Sequence, residues 1–135
     1  MFKFTFVTPE KKIVTDLEVE EVIVPAYRGE LNILPGHAPL VTTLNIGVLK
    51  YRPKGSNVFE SAVVSWGYCE VDPQGVNVLA ETAETLEEIN RERAEEALKL
   101  AQKRLVEPGM EPDQIKKFQR KLVRARARIE MLDNK

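Results

Sequence analysis

The stretch ETLEEINRERAEEALKLAQKRLV, residues 84–106, contains no glycine or proline and is rich in Glu, Ala, Leu, Lys and Arg. That composition favours a helix over a strand. The regularly spaced apolar residues of the stretch are Ala94, Leu98, Ala101 and Leu105. Their spacings of four, three and four place them on one face of a helix. Thr85 is predicted to be the N-cap of this helix, with Glu88 three residues later completing a capping box.

The residues before this stretch read as strands separated by turns. Phe2, Phe4 and Phe6 alternate with polar residues, as in a half-buried strand. Further strands are predicted over 19–24, 31–34, 46–51, 58–65, 68–71 and 76–80. The glycines expected in turns are Gly29, Gly36, Gly47, Gly67 and Gly75. Many short strands at close spacing predict a β-sandwich, or flattened barrel, of ten strands or a similar number.

A second helix is predicted after the stretch, over 112–132. Pro108 and Gly109 end the first helix, and Pro112 suits the first turn of the second. The apolar seam of the second helix consists of Ile115, Phe118, Leu122, Ala125, Ile129 and Leu132. Spacings of three and four make this a heptad seam, which packs along another helix. The predicted fold is therefore β + α, with a β-sandwich over 1–84 followed by a two-helix hairpin over 85–135, although so narrow a seam could also pack on a different helix.

Charge is unevenly distributed along a chain of net charge −1. Residues 112–135 carry 8 basic and 3 acidic side chains. The basic residues of the second helix are Lys116, Lys117, Arg120, Lys121, Arg124, Arg126 and Arg128. Like charges four residues apart destabilise a helix. The run therefore favours contact with a negatively charged partner, which could be a protein, a nucleotide or a nucleic acid.

Few residues could carry chemistry. His37 is the only histidine and Cys69 the only cysteine, so a metal site of the usual nitrogen and sulfur type lacks ligands and an internal disulfide is impossible. Neither a nucleophile elbow nor a glycine-rich phosphate loop occurs. No stretch reaches the length of a membrane span, and the N-terminus does not read as a targeting segment. We predict no catalytic residue and no bound metal, and we interpret His37 as structural or partner-contacting.

Residues 29–40, GELNILPGHAPL, resemble the GELGILPGHAPL signature of ATP synthase epsilon subunits. The segments VTP at 7–9, SWGYCEV at 65–71 and VLAE at 78–81 follow the order of that family, and the resemblance extends through both terminal helices. Asn32 stands where the family usually has glycine, and because Asn tolerates left-handed backbone the turn is expected to survive. Trp66 replaces the first of a usual glycine pair, which predicts altered packing at that end of the sandwich.

The resemblance implies a non-catalytic rotor subunit of an F-type ATP synthase, peripheral on the cytoplasmic face of the inner membrane. In that family the sandwich binds the gamma stalk and lies on the c-ring. The two helices either fold against the sandwich or extend to the alpha and beta subunits, where they block ATP hydrolysis. Glu30 and His37 fall in the loop that the family places nearest the c-ring. The inhibitory helix would act through Lys116, Lys117, Arg120, Lys121 and Arg124.

Some bacterial members of this family bind ATP in the folded form through an [I/L]-D-x-x-R-A motif. The corresponding residues here, 89–94, read INRERA, so Asn90 replaces the aspartate, and Leu100 stands at the position of a later arginine. Because each hydrogen bond to a charged group contributes ~1.5–3 kcal/mol, these losses should weaken the site. The resemblance thus implies a weak regulatory ATP site and no other cofactor. Its residues would be Ile89, Asn90, Arg93, Ala94, Arg124 and Arg128.

Two other classes of function remain open at this point. A nucleic-acid-binding module would use the basic helix and bind DNA or RNA in a salt-dependent way. A small enzyme would need a cleft with perturbed titratable groups, for which the sequence offers no good candidates. The rotor-subunit interpretation predicts no binding of nucleic acid and no insertion into the membrane.

Overall fold

The computed structural model describes residues 1–134, which form seven strands and two α-helices. The strands are β1 (Phe2–Val7), β2 (Lys12–Ala26), β3 (Gly29–Ile33), β4 (Leu40–Leu44), β5 (Gly47–Pro53), β6 (Glu60–Asp72) and β7 (Gly75–Thr85). A 3₁₀ turn, Leu86–Glu88, leads to the helices α1 (Arg91–Leu105) and α2 (Pro112–Asp133). The predicted order, a β-sandwich followed by two helices, is confirmed.

The strands form one sheet that closes on itself. β1 lies between β7, to which it is parallel, and β2, to which it is antiparallel. From β7 the sheet continues through antiparallel pairings to β6 and β5 and returns to β2. β4 pairs with β6 and, at Leu44, with Ala26 of β2, and β3 pairs with β2. A closed ring with two added strands gives the flattened barrel that the sequence predicts.

Alternating side chains of the strands fill the interior of the barrel. Phe4 and Phe6 are fully buried, and the ring centroid of Phe4 lies 5.1 Å from that of Tyr51. Other members of this core are Val19, Val22, Val24, Ile33, Leu44, Leu49, Val64, Cys69, Val71, Val76 and Val78. Each large apolar side chain contributes about 1.5–3 kcal/mol when fully buried. Every buried member of the cluster precedes residue 84, so the sandwich has a core that does not depend on the helices.

Seven strands are observed where ten or a similar number were predicted, and one long strand had been divided in two. Residues 60–65 of the predicted segment 58–65 and all of 68–71 belong to a single strand, β6, in which Trp66 and Gly67 have positive φ. Its first half pairs with β5 as far as Val64, and its second half pairs with β4 from Gly67 onward. The pairing over 40–44 that forms β4 was not predicted. A strand that changes partners along its length leaves no turn signal in the sequence.

The first helix begins later than predicted. β7 continues to Thr85, whose amide N–H and hydroxyl donate to Glu88 Oε1 at 3.2 and 2.9 Å. The capping box therefore exists, but it caps the 3₁₀ turn. The N-cap of α1 is Asn90, whose side-chain oxygen accepts from the amide of Arg93 at 3.0 Å. Composition alone could not separate this short turn from the helix because both are rich in Glu and Leu.

The helices pack against each other along the predicted seams. Ala94 and Ala101 of α1 are buried, as are Phe118, Ala125 and Leu132 of α2. Small residues at such positions let two helices approach closely. A second apolar face of α2 was not predicted: Ala127 and Met131 pack on Val63 of β6. Helix α2 therefore contacts both α1 and the sandwich, while α1 packs mainly on α2.

Candidate functional site

The two residues predicted to contact the c-ring lie at opposite ends of β3. Glu30 is exposed at the start of the strand, opposite Pro25, and not in the loop where it was expected. It lines a groove of about 350 Å³ together with Lys50, Arg126 and Glu130. His37 lies in the loop after the strand, with its Nδ1 2.9 Å from the carbonyl oxygen of Ala38.

The loop of His37 forms one wall of a different cavity. This cavity measures about 340 Å³ and is also lined by Met1, Leu34 and the β6–β7 turn at Pro73. Its lining is largely apolar and comes from the end of the barrel where β1 begins. The structure thus brings His37 together with the N-terminus and the β6–β7 turn, and it does not bring His37 together with Glu30.

Asn32 does not occupy a turn. It is an extended residue of β3, paired with Ile23 of β2, so the expectation of a left-handed backbone at this position is wrong. Within residues 1–134 the non-glycine residues with positive φ are Asp16 and Trp66. The left-handed backbone is therefore found at Trp66, the other residue that departs from the family signature.

Trp66 has a φ of 46° and is followed by Gly67 with a φ of 136°. These two residues stand where β6 leaves β5 and joins β4. A left-handed conformation costs a residue with a Cβ roughly 1–2 kcal/mol, which explains why the related signature has a pair of glycines here. Gly67 is needed for a further reason, because a Cβ on it would overlap the carbonyl oxygen of Leu79.

The predicted inhibitory residues lie on the exposed part of α2. Within residues 1–134, none of the five cations forms an ion pair with a carboxylate. They are Lys116, Lys117, Arg120, Lys121 and Arg124. Lys121 approaches only the ring of Phe118 on its own helix, with Nζ 5.2 Å from the ring centroid. The absence of ion pairs at these five cations within residues 1–134 leaves them available to an acidic partner.

Three arginines of α2 nevertheless contact the sandwich. We call Arg120, Arg124 and Arg128 the arginine stripe, because their spacing of four places them on one helix face. The guanidinium of Arg120 lies over the ring of Trp66, with Cζ 5.2 Å from its centroid. Arg124 Nε donates to the hydroxyl oxygen of Ser65 at 3.2 Å.

The third contact of the arginine stripe is an ion pair. Arg128 donates through Nε and Nη2 to Oε1 of Glu84, at 2.8 and 2.7 Å. Sequence reasoning did not identify these three contacts. The tryptophan at position 66, in place of a family glycine, was the one feature of the sequence that could have indicated them. It does not reveal the contact with α2, because that contact depends on how the helix docks.

Most residues of the predicted ATP site already make contacts within the protein. Asn90 caps α1, Ala94 is buried, and Ile89 packs against the cluster around Val63. Arg93 is exposed near the hairpin end where Arg91 donates to Asp133 at 2.6 Å. Arg124 and Arg128 are held by Ser65 and Glu84. A nucleotide bound by Arg124 or Arg128 would have to replace their existing hydrogen bonds.

The linker between the sandwich and α1 is tied to the β1–β2 turn. Lys11 Nζ lies 2.8 Å from Oε1 and 2.9 Å from Oε2 of Glu88. This ammonium, together with the donors of Thr85, lowers the pKa of the Glu88 carboxyl from 4.5 to about 2. Since the folded pKa is depressed, the contact stabilises the linker above pH 4.5 and loses this effect as the pH falls toward 2.

Replacing Lys11 by glutamine should raise the pKa of Glu88 toward its ordinary value, because the largest cause of the depression is removed. The titration can be followed by NMR of the Glu88 carboxyl carbon. The matched control is Lys12→Gln, which removes a neighbouring exposed ammonium that forms no ion pair with Glu88. An unchanged titration in Lys11→Gln would show that the ion pair does not form in solution.

Three large apolar or aromatic side chains are exposed on or beside β4 and β6, and we call them the apolar patch. Val41 of β4 is 70% exposed, Tyr68 of β6 is 46% exposed, and Tyr27, whose amide donates to the carbonyl oxygen of Thr43, is 69% exposed. Tyr68 is paired with Thr43 on one side and with Leu79 on the other. Clustered apolar side chains on one face of a sheet are typical of a surface that docks another protein. The sequence analysis missed this patch because alternation does not say which exposed residues lie together.

The structure offers little for catalysis in the part of the chain it describes. No group of three potential ligands that could hold a metal ion occurs within residues 1–134. Burial raises the pKa of the Cys69 thiol to about 12, so this side chain remains protonated and inert at neutral pH. Neither helix within residues 1–134 combines the length and the apolar character needed to cross a membrane.

Two family models together match almost the whole chain. The model for the beta-sandwich domain of the ATP synthase delta/epsilon chain matches residues 1–86, and the model for its long alpha-helix domain matches residues 87–133. The chain is 51% identical over 128 residues to the ATP synthase epsilon chain of Bdellovibrio bacteriovorus, covering 95% of this chain and 91% of that one. It is 40% identical to the epsilon chain of Geotalea daltonii, covering 96% of this chain and 91% of that one.

Solved structures share the same fold. A chain of the Euglena gracilis mitochondrial ATP synthase, from a structure of OSCP, F1 and c-ring, superposes with a TM-score of 0.85 at 24% identity. The superposition covers 96% of this chain and 79% of that one. A chain from the central stalk and c-ring of the Tetrahymena thermophila enzyme gives 0.65 at 14% identity, covering 97% of this chain and 96% of that one.

Proposed function

This chain belongs to the ATP synthase delta/epsilon family, and on that premise we propose that it couples the central stalk of the enzyme to the membrane c-ring and inhibits ATP hydrolysis through its two helices. The relatives named above are epsilon chains, which are non-catalytic subunits of the complex. The enzyme as a whole makes ATP from a proton gradient. The proposed place of the chain is peripheral, on the cytoplasmic face of the inner membrane.

One observation carries this proposal: the helices meet the sandwich through one apolar cluster and the arginine stripe. The buried members of the cluster are Val63, Ala127 and Met131, with Val48, Leu86 and Ile89 packed against them, and the arginine stripe supplies polar contacts. The core of the sandwich is complete without the helices. A helix pair attached in this way needs only a modest differential interaction with a partner to leave the sandwich.

The proposed partners are assigned to separate surfaces. The apolar patch of Tyr27, Val41 and Tyr68 suits the gamma subunit, because stable protein interfaces have apolar centres. The end of the barrel around His37, together with Glu30, is proposed to meet the c-ring. The extended helices would contact the alpha and beta subunits through the basic cluster. ATP is proposed as a weak ligand of the folded helices.

A truncated chain separates coupling from inhibition. Ending the chain after Glu88 keeps all of β7 and the Lys11–Glu88 ion pair. A cut after Ala83 would instead remove two residues of β7 that pair with β6. We expect the 1–88 chain to assemble with the enzyme and to support ATP-driven proton pumping in vesicles, while hydrolysis is no longer inhibited.

The matched control for this truncation is the full chain, assayed at the same stoichiometry, with a thermal melt to establish that the sandwich remains folded. Loss of assembly or of proton pumping by a folded 1–88 chain would refute the proposed division between sandwich and helices. Retained inhibition would refute the proposed role of the helices.

Alanine at Glu30 or at His37 should weaken coupling through lost contact with the c-ring. Because the two side chains line different cavities, the two effects should be independent and add in the double variant. Proton pumping by the reconstituted enzyme measures coupling, and hydrolysis by the detached catalytic head should not change. Glu10→Ala removes an exposed carboxylate from the β1–β2 turn and serves as the control. A large loss of turnover in the detached head would contradict a contact role.

A further inference from the structure

We infer that Trp66 is a latch that holds α2 on the sandwich by stacking against Arg120. The inference deepens the proposed regulation, since its effect on hydrolysis rests on the proposed function, while the latch itself concerns only this chain. The term latch refers below to the pair Trp66–Arg120.

The backbone is strained at Trp66. A bulky side chain at a φ of 46° is an outlier, whereas the other such residue within 1–134, Asp16, is of a type that tolerates this region. Strain of this kind persists where surrounding contacts compensate for it. Within β6 itself a glycine would fit this backbone without strain. The tryptophan is therefore not required by the strand, and its role lies in a contact outside β6.

The indole of Trp66 contacts helix α2 through Arg120. Its ring carries the guanidinium of Arg120 at 5.2 Å, within the range of a cation–π interaction. The ring also lines a groove of about 360 Å³ together with Lys116, Gln119 and Val123 of α2 and with Asn45 and Ile46 before β5. Trp66 is half-buried. Its cation–π contact thus joins β6 to the helix that the proposal requires to move.

The docked and the extended states of α2 compete for Arg120. This guanidinium belongs to the basic cluster that lacks carboxylate partners within residues 1–134. While it stacks on Trp66 it is withheld from an acidic surface elsewhere. Ser65, next to Trp66, holds Arg124 one helical turn further along in the same way. The latch therefore lowers the population of extended helices and opposes inhibition.

The latch can be tested on the isolated full-length chain without any partner. Trp66 is the only tryptophan, so its fluorescence reports on the latch alone. In Arg120→Gln we expect a red-shifted emission and stronger quenching by acrylamide, because the ring becomes more exposed. The control Arg126→Gln removes an exposed cation from the same helix and should leave both properties unchanged. Equal changes in the two variants, or no change in Arg120→Gln, would overturn the inference.

Hydrogen exchange extends the test to a variant without the chromophore. Trp66→Gly and Arg120→Gln should each speed amide exchange in residues 116–124 by roughly two- to fivefold, the size of one partly exposed cation–π contact. The double variant should exchange no faster than the faster single variant, because both remove the same contact. Exchange within β6 should be unchanged or slower in Trp66→Gly, since strain is relieved. Additive effects, or faster exchange throughout β6, would overturn the latch.

The regulatory consequence has its own readout. Trp66→Gly leaves the basic cluster intact, so it should inhibit hydrolysis by catalytic heads lacking this subunit at a two- to fivefold lower concentration than the parent does. Faster exchange of α2 with unchanged inhibition would confirm the latch and refute the proposed inhibitory extension. Unchanged exchange would overturn the latch whatever the inhibition assay gives.

Discussion

Replacing Lys116, Lys117 and Lys121 together by glutamine is expected to weaken the inhibition of ATP hydrolysis by a factor of about 5–30. These lysines belong to the basic cluster and form no ion pairs within residues 1–134. If the extended helix meets an acidic surface, three exposed pairs at ~0.2–1 kcal/mol each would stabilise that state by about 0.6–3 kcal/mol. The middle of this range, about 1–2 kcal/mol, corresponds to the factor of about 5–30. Their removal should act mainly on the extended state.

The structure explains why the variant is limited to lysines. The sequence suggested neutralising all five cations, including Arg120 and Arg124. Those two arginines also hold the folded state through Trp66 and Ser65. Their replacement would destabilise both the folded and the extended helix, so the change in inhibition could not be assigned to either state. The lysine variant leaves the arginine stripe and the seam residue Phe118 intact.

The measurement is steady-state ATP hydrolysis by the reconstituted enzyme at low and high salt. Inhibition by the parent should weaken as salt increases, because exposed charges are screened, and the variant should be less sensitive to salt. The control Lys99→Gln with Lys103→Gln removes two exposed ammonium groups from α1. Should the lysine variant inhibit as strongly as the parent, the basic cluster is only a solvated surface.

Gly67→Ala is expected to destabilise the sandwich by about 2–5 kcal/mol. The φ of 136° at this position is rarely adopted by residues with a Cβ, and the added carbon would overlap the carbonyl oxygen of Leu79 and approach the Cα of Ala80 within 2.8 Å. Backbone strain of roughly 1–2 kcal/mol and a steric cost of roughly 1–3 kcal/mol add together. The affected strand, β6, pairs with β4, β5 and β7.

Gly55→Ala is a closely matched control, since Gly55 also has positive φ but an added Cβ would meet nothing within 4 Å. Its free energy of unfolding should fall only by the cost of backbone strain, about 1–2 kcal/mol. Urea denaturation followed by circular dichroism gives both free energies of unfolding. Equal destabilisation of the two variants would show that β6 and β7 separate readily at Gly67, contrary to the close approach described here.

The regular parts of the fold were predictable because local periodicity decides them. The alternation of Phe2, Phe4 and Phe6 and the helical spacings from Ala94 to Leu105 and from Phe118 to Leu132 correspond to the observed β1, α1 and α2. The errors lie where the pairing of strands distant in sequence decides the structure. Gly67 is an interior residue of β6, not a turn glycine, because the strand there passes from one partner to another.

The candidate site was less predictable, because it depends on how α2 docks on the sandwich. The heptad seam indicated the contact with α1 but gave no sign of the second face at Ala127 and Met131. Departures from the family signature were informative in one case only. Trp66 lies at the point of strain and contact, whereas Asn32 is an ordinary strand residue.

The central claim is that the chain binds the rotor of an ATP synthase and restrains its hydrolysis. The most direct measurement adds the purified full-length chain to the catalytic head of the enzyme from the same organism, stripped of its own corresponding subunit, and follows binding and ATP hydrolysis together. We predict saturable binding of one chain per head with a parallel fall in hydrolysis. Absence of binding, or binding that leaves hydrolysis unchanged at saturation, would contradict the account.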